Sequence, residues 1–201
     1  MKSLVLIIGP SGSGKTILEE NLCKHYGYRK AVSVTSREKR DHEVNGVDYQ
    51  FVTKENFLAI QDYIETAEYD GEYYGLTSAE LLKDDQDVIA VVEVMGALQI
   101  NQYIMHRLFT SVQLQIIYMD IPREECAANM EKRGDDPEKI KQRVLQESIP
   151  QLFIASHLRA DIIETELDEA THRRIGEELQ KQKIEITLQD MKSVTDDKIV
   201  Q

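Results

Sequence analysis

Cysteine is scarce in this 201-residue chain: Cys23 and Cys126 stand far apart and belong to no C-x-x-C or Cys/His cluster. That pattern excludes a disulfide framework and a cysteine-based metal site, so both thiols are expected as small core or half-buried residues. Long hydrophobic runs are missing as well. Leu4 to Ile8 and Val88 to Val92 fall far short of the ~20 apolar residues that a membrane-spanning helix requires. Gly9 and Pro10 interrupt the first run and no small-residue cleavage pattern follows, so a secretory signal is not expected and a cytoplasmic location is. Positive charge is the third deficit. With 24 Lys and Arg against 36 Asp and Glu, the chain carries a formal charge of −12. Bulk attraction to nucleic acid or to an anionic membrane depends on excess Lys and Arg, so neither is an expected partner.

What is present fits a compact domain. At 41% hydrophobic and 30% charged residues the chain is neither disordered nor fibrous, and its length suffices to bury a core without metal or disulfide. Leu4 to Ile8 reads as a strand buried on both faces, and Ile17, Leu18 and Leu22 recur at helical spacing until Gly27. Val88 to Val92 and Leu114 to Met119 repeat the pattern of a buried strand followed by a helix. This order predicts an α/β fold, a parallel sheet with helices on its faces. Between the first helix and Val88 lie short alternating pieces broken by Asn45-Gly46 and Asp70-Gly71, both hairpin signals. A small mixed or antiparallel insert is expected there. Its charge is lopsided: Arg29 to Arg40 holds five basic residues against Glu38, whereas Asp62 to Asp87 holds nine acidic residues against Lys83.

Gly9-Pro10-Ser11-Gly12-Ser13-Gly14-Lys15-Thr16 matches G-x-x-x-x-G-K-[ST] between a predicted strand and a predicted helix. In that context the glycines allow backbone N–H groups to turn around a phosphate, and the helix adds the positive end of its dipole. Lys15 would reach the β- and γ-phosphates of a nucleoside triphosphate, and the Thr16 hydroxyl would face Mg2+. Further on, Arg37 and Arg40 follow a strand and Tyr49 lies on the next piece. Two guanidiniums and a phenol suit a dianionic monophosphate.

From Ser33 to Phe51 the sequence carries S-x-x-x-R-x-x-R-x-x-E-x-x-G-x-D-Y-x-F at every fixed position, Glu43 included. This signature and the phosphate loop resemble the guanylate kinase family of P-loop nucleoside monophosphate kinases, over about Lys2 to Leu179. The resemblance implies a P-loop NTPase-type core from 1–32, 86–122 and 144–182, a GMP-binding insert from 33–85, a helical lid from 123–143 and a C-terminal extension from 183–201. It implies ATP and Mg2+ as cofactors and small-molecule nucleotides as partners. Residues 9–16 would hold the triphosphate. Arg37, Arg40, Tyr49 and Tyr74 would hold the GMP phosphate, while Ser33 and Glu65 would bond guanine. The chemistry agrees, since one carboxylate accepts from both N1–H and the 2-amino group of guanine, a donor pair that adenine lacks. Arg133 and Arg143 match lid arginines that neutralise the transferring phosphoryl group, and Glu93 is the expected second group at the metal.

Four positions depart from the family pattern. Leu76 replaces a hydroxyl near guanine, and Val91 replaces the first acid of a D-x-D pair whose second is Glu93. Asn129 replaces a lid arginine, and Glu164 replaces an adenine-side Asn. Guanylate kinase activity is therefore the leading expectation. A kinase with another phosphorylated acceptor, or a non-catalytic guanylate-kinase-like binding module, remain the alternatives.

Overall fold

The computed structural model describes residues 2–41, 43–69, 71–108, 111–146, 161–163 and 168–196. Strand β1 (Lys2–Ile8) is the centre of the core sheet, and Leu4 through Ile8 are fully buried. Around it stand β2 (Arg29–Lys30), β7 (Val88–Val91), β8 (Val112–Met119) and β9 (Asp161–Ile163), in the order β2-β7-β1-β8-β9, all parallel. A strand covered on both faces needs apolar side chains at successive positions, and the alternation of β1 shows where they go. Leu4, Leu6 and Ile8 pack with Val88, Ala90, Ile116 and Tyr118 against Ala97 and Ile100 of α4 (Val94–Tyr103). Val5 and Ile7 pack on the other face with Ile89, Ile117 and Met119. That face is covered by Leu18 and Leu22 of α1 (Lys15–Tyr26) and by Ile175 and Leu179 of α7 (Glu169–Asp196). The predicted α/β core with helices on both faces is the observed one.

Helix α1 ends where expected, at Gly27 with φ 74°. One part of its predicted face is reversed. Ile17 is exposed, and Glu19 is buried in its stead. Helix α7 continues without a break through position 183, where the sequence reading starts an extension.

The insert is a second sheet. It contains β3 (Val34–Thr35), β4 (Gln50–Phe51), β5 (Tyr63–Tyr69) and β6 (Glu72–Thr77) in the order β4-β3-β6-β5. Two short helices, α2 (Lys54–Ala59) and α3 (Ser78–Leu82), start at Thr53 and Thr77, whose hydroxyls accept from Asn56 N and Glu80 N. Strands β5 and β6 pair antiparallel up to Tyr69 opposite Glu72, as the second hairpin signal predicted, although Asp70 itself lies outside the described residues. The first signal behaves differently. Strands β3 and β4 are parallel, with Val34 opposite Gln50. Side chains close this loop: Asn45 Oδ1 accepts from Phe51 N at 2.9 Å and Asp48 Oδ2 from Val44 N at 2.7 Å. These bonds shape a wide turn rather than a two-residue hairpin. The insert is mixed.

The phosphate loop leaves the C-terminal end of β1, where α5 (Arg123–Lys132) crosses it. Gly12 has φ +83°, and a Cβ there would run into the backbone carbonyl of Cys126 on α5. Gly46 has nearly the same φ, +80°, with nothing within 4 Å of a Cβ. Gly46→Ala should therefore cost about 1 kcal/mol of stability, and Gly12→Ala about 3 kcal/mol or more, measured from urea unfolding midpoints. Equal losses would show that α5 does not bear on the loop.

Candidate functional site

The phosphate loop enters α1 through Gly14, and the first turn of α1 carries no acidic side chain to compete with an anion at its dipole. Lys15 Nζ folds back along the loop and donates to the carbonyls of Gly9 and Pro10 at 2.7 and 2.8 Å. The Ser13 hydroxyl is buried with no hydrogen-bond partner among the described residues. A buried donor in a turn of inward N–H groups fits a phosphate oxygen. Beside the loop lies a cavity of about 340 Å³, lined by Pro10 and Ser11, by Tyr118 and Asp120 at the end of β8, by Cys126 and Met130 of α5, and by Arg143. Asn129 does not reach for this cavity as an arginine would. Its Nδ2 donates to the Gly12 carbonyl at 3.0 Å and so ties α5 to the loop.

The insert brings Glu43, Tyr49 and Tyr74 of the expected residues around Arg37. Both terminal nitrogens of Arg37 donate to Glu43, NH2 to Oε1 at 2.7 Å and NH1 to Oε2 at 3.1 Å. The same guanidinium lies 5.6 Å from the ring centres of Tyr49 and Phe51, and the Tyr74 side chain adds to the interactions that favour its charge. Tyr49 and Tyr74 meet edge to face at 6.1 Å. Burial pushes the Tyr49 phenol up, so it remains a neutral O–H donor. Arg40 is exposed, 3.8 Å from Glu43 Oε1, while its backbone N–H donates to Glu43 Oε2 at 2.8 Å. Burial opposes the charge on Glu43, but the Arg37 hydrogen bonds and the Arg40 N–H outweigh it and hold the carboxyl below its usual range. Glu43 thus acts on the cluster by orienting Arg37 and Arg40. Ser33 stands half-buried just before β3, its carbonyl accepting from Gln50 N at 2.9 Å.

Glu65 is set apart from these pairs. It is 5% exposed on β5, opposite Leu76 on β6, and is one of three buried acids among the described residues. Room for it comes from Gly96 of α4, where a Cβ would stand 2.8 Å from Glu65 Oε2. Burial pushes the carboxyl up to about 7; a backbone hydrogen bond with Leu76 lowers it and the charge of Glu93 raises it. Among the described residues no cation pairs with Glu65. Leu76 is fully buried in the core with Ile64, Leu81 and Val94, so the hydroxyl expected there has given way to packing. Glu93 is exposed at the start of α4, and Thr16 is exposed in the first turn of α1. Both follow strands that pair side by side, Ile7 opposite Val91.

In the segment expected as a lid, Arg133 is held by Asp135 through both carboxylate oxygens, Nε to Oδ1 at 2.8 Å and NH2 to Oδ2 at 2.6 Å. Arg143 lies on α6 (Pro137–Gln146). It donates from NH1 to the same Asp135 Oδ2 at 3.2 Å and from Nε to the Tyr69 hydroxyl at 2.8 Å. The Arg133 hydrogen bonds outweigh burial and, with the charges of Arg133, Arg143 and Arg40, hold Asp135 below the usual carboxylate range. The lid and acceptor arginines therefore share one neighbourhood.

Three residues of the site and its frame were not expected from the sequence: Glu19, Asp135 and Tyr69. Glu19 is buried on α1, 3.3 Å from Lys30 Nζ, and takes a backbone hydrogen bond from Val91. Its signal was a glutamate one turn after Lys15, on the flank of the apolar stripe. Tyr69 carries no local signal, since its partner Arg143 lies on another element, whereas Asp135 pairs with Arg133 two positions away as well as with Arg143 on α6. Of the five basic residues from Arg29 to Arg40, two belong to the frame: Lys30 pairs with Glu19, and Arg29 with Glu80 at 2.6 Å and Asp84 at 2.9 Å. Glu164 lies outside the described residues.

The family model described as guanylate kinase matches residues 1–191, beyond Leu179 where the sequence motifs end. A guanylate kinase of Fusobacterium nucleatum is 30% identical over 180 residues, covering 87% of this chain and 94% of its own. One of Chlamydia abortus is 31% identical over 176 residues, covering 83% and 82%. The crystal structure of guanylate kinase from Anaplasma phagocytophilum superposes with a TM-score of 0.59 at 26% identity, covering 90% of this chain and 86% of that one. Likeness of this extent, in sequence and in fold, makes the chain a member of the guanylate kinase family.

Proposed function

We propose that this nucleoside monophosphate kinase transfers the terminal phosphoryl group of ATP to GMP, and to dGMP, with Mg2+. The observation that carries the reading is Glu65, a buried carboxylate with no cationic partner among the described residues, beside the acceptor cluster. Guanine offers two adjacent donors to one carboxylate, and a buried acid gains most from such a pair. Arg37, Arg40, Tyr49 and Tyr74 would hold the GMP phosphate, and Ser33 would add a contact to the base.

On the opposite side the loop amides from Gly9 to Thr16 and Lys15 would cradle the ATP phosphates, with Arg133 and Arg143 against the transferring group. Thr16 and Glu93, two exposed oxygen ligands beyond the C-terminal ends of neighbouring strands, would suit a Mg2+ ion that keeps phosphate oxygens and waters as its other ligands. The ion would neutralise charge on the triphosphate. No general base is required, because the attacking phosphate oxygen is ionised at neutral pH. Catalysis then rests on holding two anions in line, which explains the density of arginine in an acidic chain. No helix among the described residues is long and apolar enough to cross a membrane.

A coupled assay with ATP and each of GMP, dGMP, AMP, UMP and CMP tests the acceptor. GMP and dGMP should turn over, with AMP lower in kcat/KM by about 100-fold or more. A larger rate with another monophosphate would move the reading to that acceptor, and no turnover of any guanine nucleotide would contradict it. The pH profile tests Glu65 separately. Only the ionised carboxylate accepts from both guanine donors, so below its value of about 7 the KM for GMP should rise roughly tenfold per pH unit. In Glu65→Gln that limb should vanish, leaving only the ionisation of the nucleotide phosphate near about pH 6. Without nucleotide the sign is opposite. A folded-state value raised from 4.5 to about 7 favours the fold at low pH, and that contribution is lost as pH rises through this window. Relative to Glu65→Gln, the wild type should lose on the order of 2–3 kcal/mol of stability between about pH 5 and about pH 8.

A further inference from the structure

Tyr69 is the last residue of β5, on the acceptor sheet, and Arg143 sits on α6 of the lid, 74 positions away in sequence. Arg143 Nε donates to the Tyr69 hydroxyl at 2.8 Å, and the guanidinium carbon lies 5.5 Å from the centre of the Tyr69 ring. NH1 of the same group donates to Asp135, which also holds Arg133. Arg143 is thereby mostly buried, its side chain 17% exposed, and it lines the cavity beside Pro10 and Ser11 of the phosphate loop. One guanidinium therefore touches the acceptor sheet on one side and the triphosphate-side cavity on the other. Two phosphates brought together for in-line transfer would meet at that position.

We propose that Tyr69 is a positioning residue for phosphoryl transfer, which holds Arg143 of the lid against the acceptor sheet so that its charge falls between the two nucleotides. The hydroxyl fixes Nε, the ring carries the face of the guanidinium, and Asp135 fixes the other edge. A long arginine side chain samples many rotamers in water, and these contacts select one of them before any anion arrives. Because the contact joins lid to acceptor sheet, it also makes the lid position depend on the sheet that would hold the acceptor. The inference rests on the reading of Arg143 as a lid arginine of the kinase.

The test is a double-mutant cycle of Tyr69→Phe and Arg143→Lys, read as kcat and KM for ATP and GMP together with thermal unfolding. Tyr69→Phe keeps the ring and should lower kcat about fivefold or more, with KM for GMP within about twofold and an unchanged Tm. Arg143→Lys should lower kcat further, and the double variant should be no slower than Arg143→Lys alone. Wild-type kcat in Tyr69→Phe beside an impaired Arg143→Lys would overturn the role of Tyr69 only, as would losses that multiply in the double variant. Wild-type kcat in Arg143→Lys would overturn the reading of Arg143 and this inference together.

Discussion

Cations that gather around one cleft repel one another, and the architecture of this chain answers that repulsion. Two unit charges about 4 Å apart interact by about 4 kcal/mol near a protein surface, so a cluster of arginines without counter-charges would spread or unfold its own support. Here each is given a partner. Glu43 takes both nitrogens of Arg37, Asp135 spans Arg133 and Arg143, and the carbonyls of Gly9 and Pro10 take Lys15. The net charge of −12 is thus compatible with a site for anions. Acidic residues hold the arginines in place, and in the proposed reaction a phosphate would replace or join them, since the bidentate geometry they impose is one a phosphate also accepts.

Glu65 poses the converse problem. A carboxylate buried away from cations costs free energy, and its value of about 7 is the measure of that cost. The fold tolerates the group because α4 offers Gly96 at the point of contact and because Leu76 gives a backbone hydrogen bond. In the proposed reaction the cost is offset when guanine supplies two donors. Leu76, opposite Glu65, is fully buried and serves the core with Ile64 and Val94.

The sequence displayed those features whose residues are close along the chain. The strand and the helix that flank the phosphate loop depend on local spacing, and each lies where the spacing predicted. What remained hidden depends on pairs distant in sequence. No pattern links Tyr69 to Arg143 or Glu19 to Lys30, and Asn129 read as an arginine lost before its bond to Gly12 gave it another task. Asn45-Gly46 misled for a different reason. A dipeptide reports the turn it favours but not the side-chain bonds, from Asn45 and Asp48, that open this turn into a loop between parallel strands. The helical stripe of α1 misplaced Ile17 because an ion pair with Lys30 drew Glu19 inward instead.

If a buried, partly protonated Glu65 becomes an ionised acceptor for guanine, proton release on binding measures the change directly. Calorimetric titration of GMP into the wild type and into Glu65→Gln, in buffers of different ionisation enthalpy, counts the protons exchanged. At about pH 7 the wild type should release about half a proton more per GMP bound than Glu65→Gln. Equal proton release by the two proteins, with GMP bound by both, would contradict the account.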